Sequence, residues 1–139
     1  PIGAIVVYHG KVIGAGHNMR ERFQNAAYHA ELLAIMEACE YLGSWRLEEC
    51  DLYVTLEPCM MCSGAIMNSR IRTLYYGAKN PKAGTVESLY HLLSDSRFNH
   101  QVEIRSGIKE NECQQLLKQF FKRVRKARKA ARKSAQQKN

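Results

Sequence analysis

Two short motifs in this sequence contain residue types that bind transition metals and transfer protons. One is His29-Ala30-Glu31, and the other is Pro58-Cys59-Met60-Met61-Cys62. One imidazole and two thiolates fill three positions of a tetrahedral zinc ion and leave the fourth open, which is the arrangement of catalytic zinc sites. If the fold brings the two motifs together, His29, Cys59 and Cys62 can form such a site.

The pair Cys59 and Cys62 is ambiguous when taken alone. Cys-x-x-Cys is also typical of redox pairs and of half of a structural zinc site, and a histidine beside a helix most often has a structural role. A structural site would need further ligands, and the sequence has no second Cys pair at short spacing. The remaining thiols have no predicted function: Cys39, Cys50 and Cys113.

Glu31 adds a candidate proton carrier to the three metal-binding residues. Residues two apart do not share a helix face, so Glu31 is poorly placed to bind the same ion as His29, but it can reach a water molecule on that ion. Two thiolates neutralise Zn²⁺, helix N-termini favour thiolates, and zinc lowers the pKa of a bound water to about 7. These residues favour a zinc-activated water with Glu31 as the proton shuttle.

Hydrophobic periodicity and turn residues predict alternating strands and helices around the motifs. Val- and Ile-rich segments on both sides of His9-Gly10 predict a β-hairpin. Helix-forming residues at 30–39 and 59–68 put each motif at the start of a helix. Further strands at 51–55, 73–76 and 101–105 complete an α/β fold with a mixed sheet of about five strands.

The composition fits one folded domain over residues 1–139. With 45% hydrophobic and 24% charged residues, the chain is neither disordered nor collagen-like. No apolar run approaches the roughly 20 residues of a membrane helix, and the first residues lack the pattern of a secretion signal. Five cysteines fit reduced thiols or metal ligands better than a disulfide framework. We expect a soluble, cytoplasmic protein.

The net charge of +8 is unevenly distributed along the chain. Residues 118–139 contain ten of the 21 Lys and Arg and no acid. We expect a basic helix at 111–133 and a disordered tail at 134–139. A solvated helix is one interpretation, but ten clustered cations bind phosphates strongly and favour nucleic-acid contact. Phe120 or Phe121 alone would be expected in the core, but neighbours on a helix cannot both be buried equally, which leaves one to stack on a base.

His-x-Glu followed by Pro-Cys-x-x-Cys is typical of zinc-dependent nucleobase deaminases. The chain resembles the bacterial tRNA-specific adenosine deaminases over nearly its whole length, in segments 1–4, 16–18, 53–59, 69–71, 76–79 and 99–103. The resemblance implies a three-layer α/β/α fold of the cytidine deaminase type, a homodimer, and one zinc ion per subunit bound by His29, Cys59 and Cys62. It also implies that Glu31 shuttles the proton when adenosine is hydrolysed to inosine at the wobble position of a tRNA anticodon.

The resemblance also implies which residues contact RNA. The target adenosine in this family is splayed out of the anticodon loop, and the positions that border it correspond to Asn18, Ala30, Pro58 and Asn99. Neighbouring nucleotides would be held by the residues at Arg20, Arg46, Lys79, Asn80, Lys82, Phe120, Phe121, Lys122, Arg123 and Arg125.

Two features depart from the family pattern. A helix usually precedes the first strand in the family and is absent before Pro1-Ile2-Gly3-Ala4, so we expect an upstream segment to be missing. Asn80 stands where relatives commonly have Asp, so we expect no ionic role at that position.

Two other functions remain open at this point. A zinc deaminase of a free base or nucleotide, such as cytosine, deoxycytidylate or guanine, would share the zinc motif, but its substrate gives ten clustered cations little to bind. A non-catalytic zinc module that binds RNA would use the same three ligands structurally, but such a site has no need of Glu31.

Overall fold

A mixed five-stranded sheet forms the centre of the computed structural model, which describes residues 2–137, and its strand order is β2-β1-β3-β4-β5. The elements in chain order are β1 (Gly3–Tyr8), β2 (Lys11–His17), α1 (Arg20–Phe23), α2 (Ala30–Leu42), β3 (Cys50–Leu56), α3 (Met60–Asn68), β4 (Thr73–Ala78), a 3-10 helix (Leu92–Ser94), β5 (Glu103–Arg105) and α4 (Glu110–Gln137). β1 is antiparallel to β2 and β3, whereas β3, β4 and β5 are parallel. The predicted mixed sheet of five strands is confirmed.

The hairpin between β1 and β2 forms where the sequence predicts it. His9 and Gly10 have φ angles of 48° and 78°, the positive values that a tight hairpin turn with the twist of its strands requires. The pairing of Tyr8 with Lys11 then sets the register of β2 along β1. This hairpin supplies the sheet edge on which α2 lies.

Helix α2 approaches β2 closely because two glycines on the strand remove the side chains between them. A Cβ atom on Gly14 would lie 2.1 Å from the Ala34 carbonyl oxygen, and one on Gly16 would lie 2.5 Å from the Ala30 carbonyl oxygen. The helix ends at Gly43, whose φ of 62° is the left-handed conformation typical of a helix C-terminus. The start of α2, which carries the first chemical motif, is therefore held directly against the sheet.

The main core lies between the sheet and the pair α2 and α3. Its fully buried side chains include Val6 of β1, Leu52 of β3 and Leu74 of β4, which alternate with residues that face the other side of the sheet. On that other side, a Cβ on Gly77 would meet Cys113 of α4 at 2.4 Å. Helices thus cover both faces, which confirms the three-layer α/β/α arrangement.

Helix α4 is longer than the sequence prediction. It begins at Glu110 and continues through Gln137, so the predicted disordered tail at 134–139 is helical over 134–137, and residues 138–139 lie outside the described part. Ala, Lys, Arg and Gln are strong helix formers, and no Gly or Pro interrupts the segment. Its first turns pack on the domain, through Cys113 and Leu117 against Ala78. Among residues 2–137, no helix is long and apolar enough to span a bilayer.

Candidate active site

The starts of α2 and α3 carry the predicted metal ligands His29, Cys59 and Cys62, which we refer to as the metal-binding residues. His29 is the N-cap residue of α2 and Cys59 that of α3, and Cys62 lies in the first turn of α3. An N-cap side chain commonly bonds the free N–H groups of its own helix. His29 makes no such bond, and the Cys59 sulfur interacts only weakly with the N–H groups of its helix. The two side chains approach each other across the gap between the helices.

The three side chains converge at one point. His29 Nδ1 lies 3.8 Å from Cys59 Sγ and 3.6 Å from Cys62 Sγ, and the three donor atoms all lie within 4.8 Å of one another. Zinc bonds to nitrogen and sulfur at tetrahedral angles place N and S about 3.6 Å apart. The donor types and separations therefore fit a zinc ion.

The two thiols differ in acidity because one donates to the other. The hydrogen bond from the Cys62 side chain, helped by backbone N–H groups at the start of α3, lowers the pKa of Cys59 to about 5. The same bond, together with burial, raises the pKa of Cys62. Cys59 is thus a ready thiolate, the form in which cysteine binds metals.

Glu31 lies beneath this cluster in the first turn of α2. Its side chain is buried, with 4% of the residue exposed. Burial raises the pKa of the Glu31 carboxyl, and a hydrogen bond with the Cys62 side chain opposes this effect. A carboxyl group beside the metal-binding cluster and away from bulk water can hold and release a proton without competition from solvent.

Comparisons with known proteins agree with this chemistry. The family model of the MafB19-like deaminases matches residues 1–125. A tRNA-specific adenosine deaminase of Bacillus subtilis is 52% identical over 134 residues, which are 96% of this chain and 83% of the relative. The chain belongs to this deaminase family.

Two solved deaminase structures are similar to this chain in fold. A structure from a study of A-to-I editing by tRNA:A34 deaminases at the wobble position of transfer RNA is 46% identical, covers 83% of each chain and has a TM-score of 0.79. A guanine deaminase from Bacillus subtilis is 40% identical over 57% of this chain and 50% of its own, with a TM-score of 0.56. The same architecture is therefore found in deaminases that are named for different bases.

The residues predicted to border the base occupy two kinds of position in this deaminase. Ala30 and Pro58 are buried and directly adjoin the metal-binding residues in the chain, whereas Asn18 and Asn99 are exposed. The Met19 N–H donates to the Tyr28 carbonyl at 2.9 Å, so the segment with Asn18 is tied to the residue before the metal-binding histidine.

The basic residues predicted to hold neighbouring nucleotides are exposed. Arg20 pairs with Glu21, and Arg46 pairs with Glu48 while it lies over the ring of Trp45. The other predicted cations and aromatics of this set are also exposed, in the loop after β4 and on α4: Lys79, Lys82, Phe120, Phe121, Lys122, Arg123 and Arg125. The expectation of a core position for either Phe alone is wrong, since Phe120 is 36% and Phe121 47% exposed.

The Asn80 side chain accepts a hydrogen bond that an Asp side chain could also accept. Its side-chain oxygen accepts the Ala83 N–H at 3.2 Å, and its carbonyl accepts the Gly84 N–H at 2.8 Å. A carboxylate oxygen would accept the first bond equally well, so the turn does not need a charge at this position.

Glu57 and Thr85, for which the sequence predicted no role, adjoin residues 58–63, which we refer to as the metal-binding turn. Glu57 is 1% exposed and accepts backbone N–H groups of the loop after β4. Although burial raises its pKa, hydrogen bonds from Glu87 and Ser88 outweigh burial and leave the pKa below the usual value. The sequence signal for Glu57 was its position: it is an acidic residue directly before Pro58-Cys59.

Proposed function

We propose that this deaminase hydrolyses adenosine to inosine at the wobble position of a tRNA anticodon, with release of ammonia. The observation that carries the proposal is the convergence of His29, Cys59, Cys62 and Glu31 in a chain that is 52% identical to a tRNA-specific adenosine deaminase. The match spans 83% of that relative, so the proposal concerns nearly the whole of the related enzyme.

In the proposed mechanism, His29, Cys59 and Cys62 would hold one zinc ion per subunit, which would supply an activated water as the nucleophile. The Glu31 carboxylate accepts a proton from this water and delivers it to N1 of the purine ring. After the new C6–O bond has formed, Glu31 takes the remaining proton from the new C6 hydroxyl and transfers it to the exocyclic nitrogen. The C6–N bond then breaks, and adenosine plus water gives inosine plus ammonia.

The surroundings of Glu31 support this role in two ways. The carboxyl is buried and interacts with the Cys62 side chain, which supports a proton-carrying role beside the three predicted ligands. Ala30 and Pro58 are also buried beside the cluster. A base that is flipped out of the anticodon loop would lie against these two buried residues. Flipping is needed because the ring of a stacked base cannot reach the reacting groups.

The long basic helix supports RNA as the substrate. α4 leaves the domain after Leu117, and its exposed part combines Phe120 and Phe121 with a run of Lys and Arg. Cations along an exposed helix can bind successive phosphates, and exposed aromatic rings can stack on unpaired bases. Both features suit an anticodon stem-loop better than a single nucleotide.

Deamination of a free base is the second candidate, because a guanine deaminase is 40% identical over 57% of this chain. A non-catalytic zinc module is disfavoured by the buried Glu31. The exposed basic helix would have no evident partner in a free base, so the tRNA substrate is the stronger proposal.

We also propose a homodimer and a cytoplasmic location. Large apolar side chains at the start of α3 and after the loop that follows β4, Met60, Leu89 and Tyr90, are more than half exposed, which suits burial against a second copy. All five cysteines are free thiols, as in a reducing compartment. Sedimentation of a fully active monomer would contradict the dimer.

The deciding experiment measures inosine formation in a short RNA hairpin whose anticodon begins with A, beside free adenosine, guanine and cytidine. The assay is run with the purified protein as isolated, after a zinc chelator, and after zinc is restored. Conversion of the hairpin alone, lost and regained with zinc, supports the proposal. Conversion of a free base or nucleoside without conversion of the hairpin contradicts it and favours the second candidate.

A further inference from the structure

The segment between β4 and the 3-10 helix contains two exposed cations, Lys79 and Lys82, and lies against the metal-binding turn. We refer to residues 79–88 as the β4 loop. It has no helix or strand of its own, so hydrogen bonds within the loop and hydrogen bonds to the rest of the domain together fix its shape.

The Glu57 carboxylate accepts five hydrogen bonds from the β4 loop. Its Oε1 atom accepts the Asn80 N–H at 3.1 Å and the Ser88 hydroxyl. Its Oε2 atom accepts the N–H groups of Val86, Glu87 and Ser88 at 3.1, 2.9 and 3.0 Å. One buried side chain thus joins both ends of the β4 loop.

Thr85 joins the same loop to the metal-binding turn at a second point. Its N–H donates to the Pro58 carbonyl at 3.0 Å, and its hydroxyl donates to Ser63 Oγ at 2.9 Å. Pro58 directly precedes Cys59, and Ser63 directly follows Cys62. The β4 loop is therefore hydrogen-bonded to Pro58 and Ser63, the residues that flank the two thiols in the chain.

We propose that Glu57 is a positioning residue, which fixes the β4 loop so that Lys79 and Lys82 bind RNA phosphates at a set distance from the metal-binding turn. This inference rests on the proposed function for the identity of the substrate. The carboxylate type follows from the contacts: five donors converge on two oxygens, and an amide would replace one acceptor by an NH₂ group facing N–H donors. Glu57 does not touch the reacting atoms and acts through the loop.

Two substitutions test this role by different routes. Glu57→Gln keeps the size of the side chain but removes one acceptor. Gly84→Ala leaves Glu57 unchanged but puts a Cβ 2.4 Å from its carboxyl carbon and 2.6 Å from the Asn80 carbonyl oxygen, so the loop must move. Glu40→Gln, on the exposed surface of α2, is the control for the change in net charge.

The measurements are zinc content, hydrogen exchange resolved by segment, and kcat and KM on the RNA hairpin. For both test variants we expect faster exchange in residues 79–88, protection of α3 as in the wild type, and unchanged zinc content. KM should rise about tenfold, which corresponds to the loss of about 1.4 kcal/mol of binding, and kcat should change less than about twofold. Glu40→Gln should match the wild type in all four.

Three results would overturn the inference. Unchanged exchange in the β4 loop of Glu57→Gln would show that the carboxylate does not fix the loop, whatever the substrate is. Loss of zinc with a parallel fall in kcat would place the effect on the metal-binding turn. A freed loop with unchanged KM would show that its position does not matter for RNA. If the wild type does not convert the hairpin, the proposed function fails by that result alone, and hydrogen exchange still decides whether Glu57 fixes the loop.

Discussion

The salt dependence of RNA binding tests the proposed role of α4 quantitatively. Lys122, Arg125 and Lys129 are exposed, and their spacing of three and four residues puts them on one face of the helix. Replacement of all three by Gln retains a good helix former at each position and removes three cations. Three phosphate contacts contribute about 2 to the slope of log K against log salt concentration for single-stranded RNA. From about 50 to 200 mM salt, the wild-type affinity should fall about 20-fold more than that of the variant.

The assay is fluorescence anisotropy of a labelled hairpin, with circular dichroism to verify that the helix content is unchanged. The matched control replaces Lys11, Arg97 and Arg105 by Gln, which changes the net charge equally but at sites outside α4. This control should keep the wild-type slope to within about 0.5. Equal slopes for the wild type and the α4 variant would refute the reasoning, since the cations would then contact no phosphates.

Three further predictions concern the site and its support. Glu31→Ala should retain zinc and fold but lower turnover at least about 100-fold, since it removes the proton carrier; turnover near the wild-type rate would exclude that role. Gly14→Ala should destabilise the protein by about 1–3 kcal/mol in urea unfolding, because its Cβ would lie 2.1 Å from the Ala34 carbonyl oxygen. The control Gly64→Ala, in open space on α3, should stabilise by about 0.5–1 kcal/mol; equal effects of the two would contradict the close approach. The pKa of Glu57 is lowered in the folded state. The Glu57 carboxylate therefore adds to the free energy of unfolding at pH values above its pKa in the unfolded chain, and this contribution is lost as the pH falls through its pKa in the folded protein. The loss of stability between pH 7 and acid should therefore be smaller in Glu57→Gln, and an identical loss would argue against the depressed pKa.

The sequence predicted the features that local residue patterns determine. His9-Gly10 predicted the turn, whose positive φ angle at position 10 glycine adopts without strain. Helix-forming residues after His29 predicted the start of α2. Pro58 predicted the start of α3, although it lies one residue before the N-cap Cys59 rather than in the first turn. The spacing in each motif then limited where His29, Cys59 and Cys62 could lie, and the structure brings their donor atoms within 4.8 Å.

Long-range polar contacts could not be predicted in the same way. The bonds from Glu57 to the β4 loop join residues more than 20 positions apart, and no periodicity identifies such partners. The end of α4 was also missed, because a charged segment with high helix propensity has the same composition as a solvated tail. For Phe120 and Phe121, the apolar spacing suggested a core, but α4 leaves the domain before them: among residues 110–136, Leu117, at 8% exposed, is the last buried residue.

The parallel pairing of β3 and β4 has an evolutionary consequence. The carboxyl ends of β3 and β4 lie at the same end of the sheet. The metal-binding turn, which follows β3, and the β4 loop, which follows β4, are therefore neighbours in space although they are separate segments of the chain. If the β4 loop binds the substrate as proposed, insertions or substitutions in the loop would change which molecule binds while residues 58–63 keep their position. Relatives named as tRNA:A34 deaminases and as a guanine deaminase share one architecture, as expected if substrate choice and chemistry have been inherited as separate parts.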